Sequence, residues 1–198
     1  FLEYAEMKDK YDYMQMWGID TNEDIAKTLA VFGAFTEGLQ LFASFAILMN
    51  FQRFNKMKGM GQIVTWSVRD ETLHMTSIIK LFHSFVHENP EVWTEELQND
   101  LTEACKTVVK HEDAFIDLAF EMGDIEGLTA KEVKDYIRYI ADRRLTQLAL
   151  NPIYFVGNNP LPWMDEILNG IEHANFFESR ATEYSRASTQ GKWEEAFD

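Results

Sequence analysis

The chain has one cysteine, four prolines and ten glycines in 198 residues. Cys105 alone cannot close an internal disulfide, which points to a reducing, cytoplasmic setting. So few prolines and glycines leave little punctuation for short strands and tight turns, and no run alternates with period two. Helices are therefore favoured over an all-β or mixed fold. Basic residues are also scarce: 18 Lys and Arg stand against 33 Asp and Glu, a net charge of −15. That balance repels polyanions and excludes nucleic acid and anionic membrane surfaces as partners. No secretory signal is expected from the opening "FLEYAEMKDKYDYMQMW", which is polar and acidic. It also lacks an initiator methionine and starts in mid-pattern, so the chain is expected to be a piece of something longer.

What remains is 46% apolar and 14% aromatic, enough to build a sizeable core in one domain spanning residues 1–198. Helical periodicity predicts an amphipathic helix over 1–17, ended by Gly18. A long helix follows over about 22–52, opened by Thr21 and Asp24 in a capping-box arrangement. The glycines of "NKMKGMGQ" break the pattern, and a second long helix runs over about 62–88 to the Asn89-Pro90 stop. Further helices are expected up to about Met122, over 131–150, and over 165–188, with "NPIYFVGNNPLPW" an ordered irregular loop. Residues 29–51 are apolar enough to span a membrane, but Glu37 near the middle makes that costly. A buried core helix is the expected reading.

"RDETLH", residues 69–74, sets the chemical question. In a helix Glu71 and His74, three residues apart, lie on one face. Burying a carboxylate in an apolar pattern costs several kcal/mol unless something compensates it. Glu-x-x-His is the ligand pattern of di-iron and di-manganese carboxylate bundles, and a metal ion would turn that cost into a bond. Taken alone, the motif is weak and is better explained as a helix-surface pair or a hydrogen-bonded core histidine. Glu37 strengthens the metal reading: it is the only charged residue between Lys27 and Arg53, and no helix neighbour can neutralise it. Gly33 and Gly38 leave room for something bulky beside it. Glu37 and Glu71 would lie at equal depth in a hairpin turning at Phe54, whereas the glycine break lies about five residues later, an offset of roughly 7 Å. The first helix is therefore expected to be irregular at its end or to contain a π-bulge.

The stretch "FTEGLQLFASFAILMNFQRFNKMKGMGQIVTWSVRDETLHMTSIIKLFH" resembles the metal-site core of the small (β, radical-generating) subunit of class I ribonucleotide reductase. The Glu-Gly start, the 34-residue step to the second glutamate and "RDExxH" all match, and the similarity continues through "IEGLTAKEVKDYIRYIADRRL", "NPLPWM" and "FFESRATEYSRA". The resemblance implies an all-α, ferritin-like helical bundle with a dinuclear iron or manganese centre. Glu37, Glu71 and His74 would be metal ligands. Asp70 would hydrogen-bond a ligand histidine and join the radical-transfer relay. Leu41, Phe45 and Ser67 would line the radical-site pocket, with Leu41 and Ser67 standing where the family more usually carries Phe and Ile. The implied partners are the catalytic α (large) subunit and a second β subunit in a homodimer.

The family also needs an earlier aspartate, an earlier Glu-x-x-His and usually a tyrosine near it, and none precedes "FLEYAEMKDKYDYM" here. Its N-terminal tryptophan and its C-terminal relay tyrosine are missing as well. Half a metal site is thus expected, completed by another polypeptide or an upstream segment. Two other classes stay open: a ferritin-like di-metal oxidase or monooxygenase, and a non-catalytic helical scaffold. Elsewhere, His83 and His87 read as solvated surface, "KHED" (110–113) as a charged helix face, Cys105 as a small core residue and Trp163 as an anchor for the long loop.

Overall fold

Thr21 opens the central element. Its hydroxyl accepts a hydrogen bond from the Asp24 amide, and the Asp24 carboxylate accepts one from the Thr21 amide, each at 3.1 Å. This reciprocal cap satisfies two of the donors a helix start leaves free. From it run helix α2 (Asn22–Ala30), a π-helical segment (Val31–Gln40) and helix α3 (Phe42–Arg53), one continuous helical rod. In this computed structural model residues 3–166 are described. Ahead of the rod lies α1 (Ala5–Met14); after it come α4 (Lys58–Glu88), α5 (Glu95–Ala119) and α6 (Ala130–Gln147). Among the described residues no β-strand forms; Ile125 and Leu128 make one isolated bridge in a turn.

The rod is the axis of the bundle. α4 folds back antiparallel along it, with Gly61 against Gln52 at one end and Asn22 bonded to Asn89 at the other. α5 and α6 cover its remaining sides, and α1 lies across α5. Ala26, Ala30, Ala34, Ala43 and Ala46 are fully buried along the rod, with Phe35, Leu39 and Met49 filling the space between helices. Small residues let the neighbouring axes approach closely, while the larger ones supply the buried apolar area. The apolar run at 29–51 is accordingly a core element, with 61% of its most apolar window buried inside the fold.

The expected helices are present with shifted bounds. The turn between α3 and α4 lies at Phe54–Met57, not at the glycines. Asn55 and Met57 take positive φ (61° and 50°), and Gly61 is helical. Gly61 serves close approach instead: a Cβ there would stand 1.5 Å from the Gln52 side-chain nitrogen. Asn89-Pro90 ends α4 as expected, in a short 3-10 turn (Pro90–Val92). The loop after α6 is held by Asp142, whose carboxylate accepts from the amides of Ile153, Tyr154 and Val156. Arg53 lies 4.6 Å over the Trp163 ring, fixing the loop's far end. The helix expected from Asp165 begins earlier, at 162–166, and its continuation falls outside the described residues.

"KHED" departs from expectation. Glu112 is fully buried, 2.5 Å from the buried ammonium of Lys10 on α1. The two form a buried ion pair, and no other group hydrogen-bonds the Glu112 carboxylate among the described residues. Burial outweighs Lys10 and pushes the Glu112 carboxyl up to about 7. Asp113, in contrast, meets Arg138 of α6 in a bidentate pair at 2.9 and 2.6 Å. Cys105 is a buried core thiol.

Candidate metal centre

Glu37 sits in the π-helical segment. Its i→i+5 bonds put more residues in each turn than an α-helix holds, so the chain advances less per residue there. Together with the early turn at 54–57, this brings Glu37 level with Glu71 on α4 and answers the depth mismatch of a plain hairpin. One oxygen or nitrogen from each of Glu37, Glu71 and His74 lies within 4.8 Å of the others. His74 Nδ1 is 3.4 Å from Glu71 Oε2 and 3.9 Å from Glu37 Oε2.

The two carboxylates are half-buried and His74 is exposed. The facing Glu71 carboxylate, through a hydrogen bond, together with partial burial, pushes Glu37 up to about 7; His74 acts in the opposite direction. Two carboxylates facing each other at this range repel, and a bound cation would relieve that repulsion. The donor set of two carboxylates and one imidazole suits iron or manganese. Di-metal carboxylate bundles take one Glu from each of two helices and a Glu-x-x-His from each of two others; Glu37 with Glu71 and His74 supplies one Glu and one Glu-x-x-His.

The remaining residues singled out in the sequence surround this cluster unevenly. Asp70 is exposed one turn before His74, and its carboxylate makes no hydrogen bond among the described residues. Ser67, one turn before Glu71, donates to the Ile63 carbonyl at 3.3 Å. Leu41, one turn after Glu37, is half-buried; Phe45 is buried edge-on to Phe42. "RDETLH" therefore does not lie in this chain's core. It lies on an outward face of α4 that also carries Ile63, Trp66, Leu73 and Leu81, all exposed.

One residue that sequence reasoning missed is Arg144. It reaches from α6 to the π segment, where its Nε donates to the Gly38 carbonyl at 2.7 Å. In the sequence it looks like one more charge in "ADRRL"; only the packing of α6 on the rod gives it a role.

Comparisons with known proteins bear on the family and the fold. Residues 1–160 match the family model for the ribonucleotide reductase small chain. Protein 048L of Invertebrate iridescent virus 3, which carries the name of a ribonucleoside-diphosphate reductase small subunit, is 44% identical over 98% of this chain and 56% of its own length. The ribonucleoside-diphosphate reductase subunit beta of Chlamydia pneumoniae is 39% identical over 81% of the chain and 46% of its own length. The chain thus spans about half the length of these curated relatives. The R2 subunit of ribonucleotide reductase from Clostridium botulinum superposes with a TM-score of 0.76 at 20% identity, over 84% of this chain and 54% of that one. That likeness is one of fold, the ferritin-like helical bundle. With the family match running from the first residue through both helices that carry Glu37, Glu71 and His74, the chain belongs to the ribonucleotide reductase small-chain family.

Proposed function

We propose that this chain is the part of a ribonucleotide reductase β subunit that contributes Glu37, Glu71 and His74 to a dinuclear iron or manganese centre. The observation that carries the reading is the convergence of these three donors from two helices within 4.8 Å. Bound metal would supply the one-electron oxidising equivalent that the α (large) subunit uses to reduce ribonucleotides. Glu37 and Glu71 would neutralise the metal charge, and His74 would bind as the neutral imidazole. Asp70, beside His74, would accept a hydrogen bond from a histidine supplied by the docking segment and take part in the relay to the α subunit. Leu41, Phe45 and Ser67 would line the pocket around the radical site and keep water out.

The rest of the ligand set would come from an upstream segment or a separate polypeptide seated on the outward face of α4. Ile63, Trp66, Leu73 and Leu81 form an apolar stripe there, and Leu73 is 65% exposed. Singly exposed apolar residues are ordinary, but four on one helix face beside three candidate ligands support the reading that this surface is covered in the assembled protein. The assembled β subunit would work in the cytoplasm, as a homodimer.

Two measurements test this. The assembled protein, mixed with its α subunit, should form deoxyribonucleotides only when iron or manganese is present; a protein that binds two metals yet supports no reduction would overturn the reading. Residues 1–198 alone should bind Mn(II), or Fe(II) without oxygen, only weakly. Tight binding of two metals per chain would show that no further ligands are needed.

A further inference from the structure

The π-helical segment is gripped by buried cations from two other helices. Arg144 of α6 is 5% exposed. Besides its bond to the Gly38 carbonyl, its Nη1 donates to Gln147 Oε1 at 2.8 Å and its guanidinium lies 5.3 Å over the Phe42 ring. Among the described residues no carboxylate forms an ion pair with it. Burial lowers its pKa only to about 10, so it stays charged. Lys10 of α1, the partner of Glu112, points its ammonium at the Gln40 carbonyl, 3.3 Å away. Carbonyls 38 and 40 close the segment that carries Glu37.

A buried guanidinium without a carboxylate is costly, and an apolar side chain of similar length would pack there more cheaply. What this one gains is a fixed backbone carbonyl directly after Glu37. The chain is shaped for that bond: a Cβ on residue 38 would stand 2.7 Å from Arg144 Nε and 3.0 Å from Met75 Cγ, the neighbour of His74. Register matters here, because moving the extra residue of a π turn by one position swings a side chain by about 100°. Such a swing would take the Glu37 carboxylate away from Glu71 and His74. We infer that Arg144 is a positioning residue: through the Gly38 carbonyl it locks the π register and so aims Glu37 at its two co-ligands. The ligand role of Glu37 rests on the function proposed above; the register lock itself does not.

The test uses the full-length, metal-free protein with Arg144→Met and Arg144→Lys, and Glu71→Ala as a control. Amide exchange across residues 31–41 reads the lock without metal. Loss of a buried hydrogen bond should speed exchange there at least about tenfold in Arg144→Met, while α5 keeps its protection. Arg144→Lys, whose ammonium can reach the same carbonyl, should restore most of it. Mn(II) titration then reads the consequence: affinity should fall about 10–100-fold in Arg144→Met, as for other groups that orient metal ligands, and recover in Arg144→Lys. Unchanged exchange at 31–41 overturns the lock. Faster exchange throughout the protein in both variants would mean a merely structural arginine. If Glu71→Ala binds Mn(II) as tightly as the unaltered protein, the ligand assignment fails instead, and the exchange result still decides the role of Arg144.

Discussion

Gly33 of the π segment faces Ile78 of α4 so closely that a Cβ on the glycine would stand 2.7 Å from Ile78 Cγ2 and 2.9 Å from its Cβ. The contact lies one turn from Glu37 along the rod and one turn from His74 along α4, so it sets how near the two helices that carry these side chains can come. Gly33→Ala should cost about 1–3 kcal/mol through overpacking. Urea unfolding should show a lower midpoint with an unchanged slope, and Ile78→Ala in the same chain should recover part of the loss. A neutral Gly33→Ala would mean that the helices separate freely.

The ligand assignment makes a direct demand. Glu71→Ala or His74→Ala in the assembled protein should remove most metal from one of the two positions, because among the described residues no other donor joins this cluster to replace either side chain. Metal analysis that finds two ions per protomer in both variants would reject the assignment.

Asp70→Asn should leave metal content and thermal stability unchanged and abolish nucleotide reduction. The amide keeps the shape of the acid, and Asp70 is exposed with no hydrogen bond that the change would break. The amide oxygen can still accept a hydrogen bond from a histidine N–H, which keeps the metal, but it cannot take up a proton. Turnover within about twofold of the unaltered protein, roughly 0.4 kcal/mol on the barrier, would remove Asp70 from the relay.

The buried pair of Lys10 and Glu112 predicts a pH dependence. The Glu112 carboxyl is raised to about 7 in the fold from an ordinary 4.5. Between those values the folded state binds more protons than the unfolded state, so stability falls as pH rises from about 4.5 to about 7, by at most about 1.4 kcal/mol per pH unit from this group, and levels off above. Replacing both partners with apolar residues, Lys10→Met with Glu112→Leu, should remove that slope; the bond from Lys10 to the Gln40 carbonyl is lost as well, which lowers stability alike at every pH. Urea titrations at several pH values check it; the same slope in the double variant would assign it to other groups.

Local signals in the sequence were sufficient for the helices and their caps. The Thr21–Asp24 box and the Asn89-Pro90 stop are where short-range chemistry places them. The depth mismatch between Glu37 and Glu71 even pointed to an irregular helix. The turn before α4 was misplaced because glycine is ambiguous: Gly61 permits close packing inside a helix, while Asn55 and Met57 take the left-handed conformations. Glu112 read as a solvated charge because its partner Lys10 is 102 positions earlier, outside any helical window. The orientation of "RDETLH" was illegible for another reason. An apolar pattern says that a face is covered, not by which chain, and here nothing among the described residues covers the exposed stripe on α4.

Arg144 and Gly38 are 106 positions apart. Contacts between near neighbours in sequence form early, and contacts that close long loops wait for them. The hairpin of α3 and α4, joined by four residues, can therefore assemble before α6 has docked. During folding, Glu37 and Glu71 would meet while the winding of the rod is still free to shift, and the arrival of α6 would fix it. On that order the last helix to dock, not the hairpin that carries the two acids, would settle their final geometry.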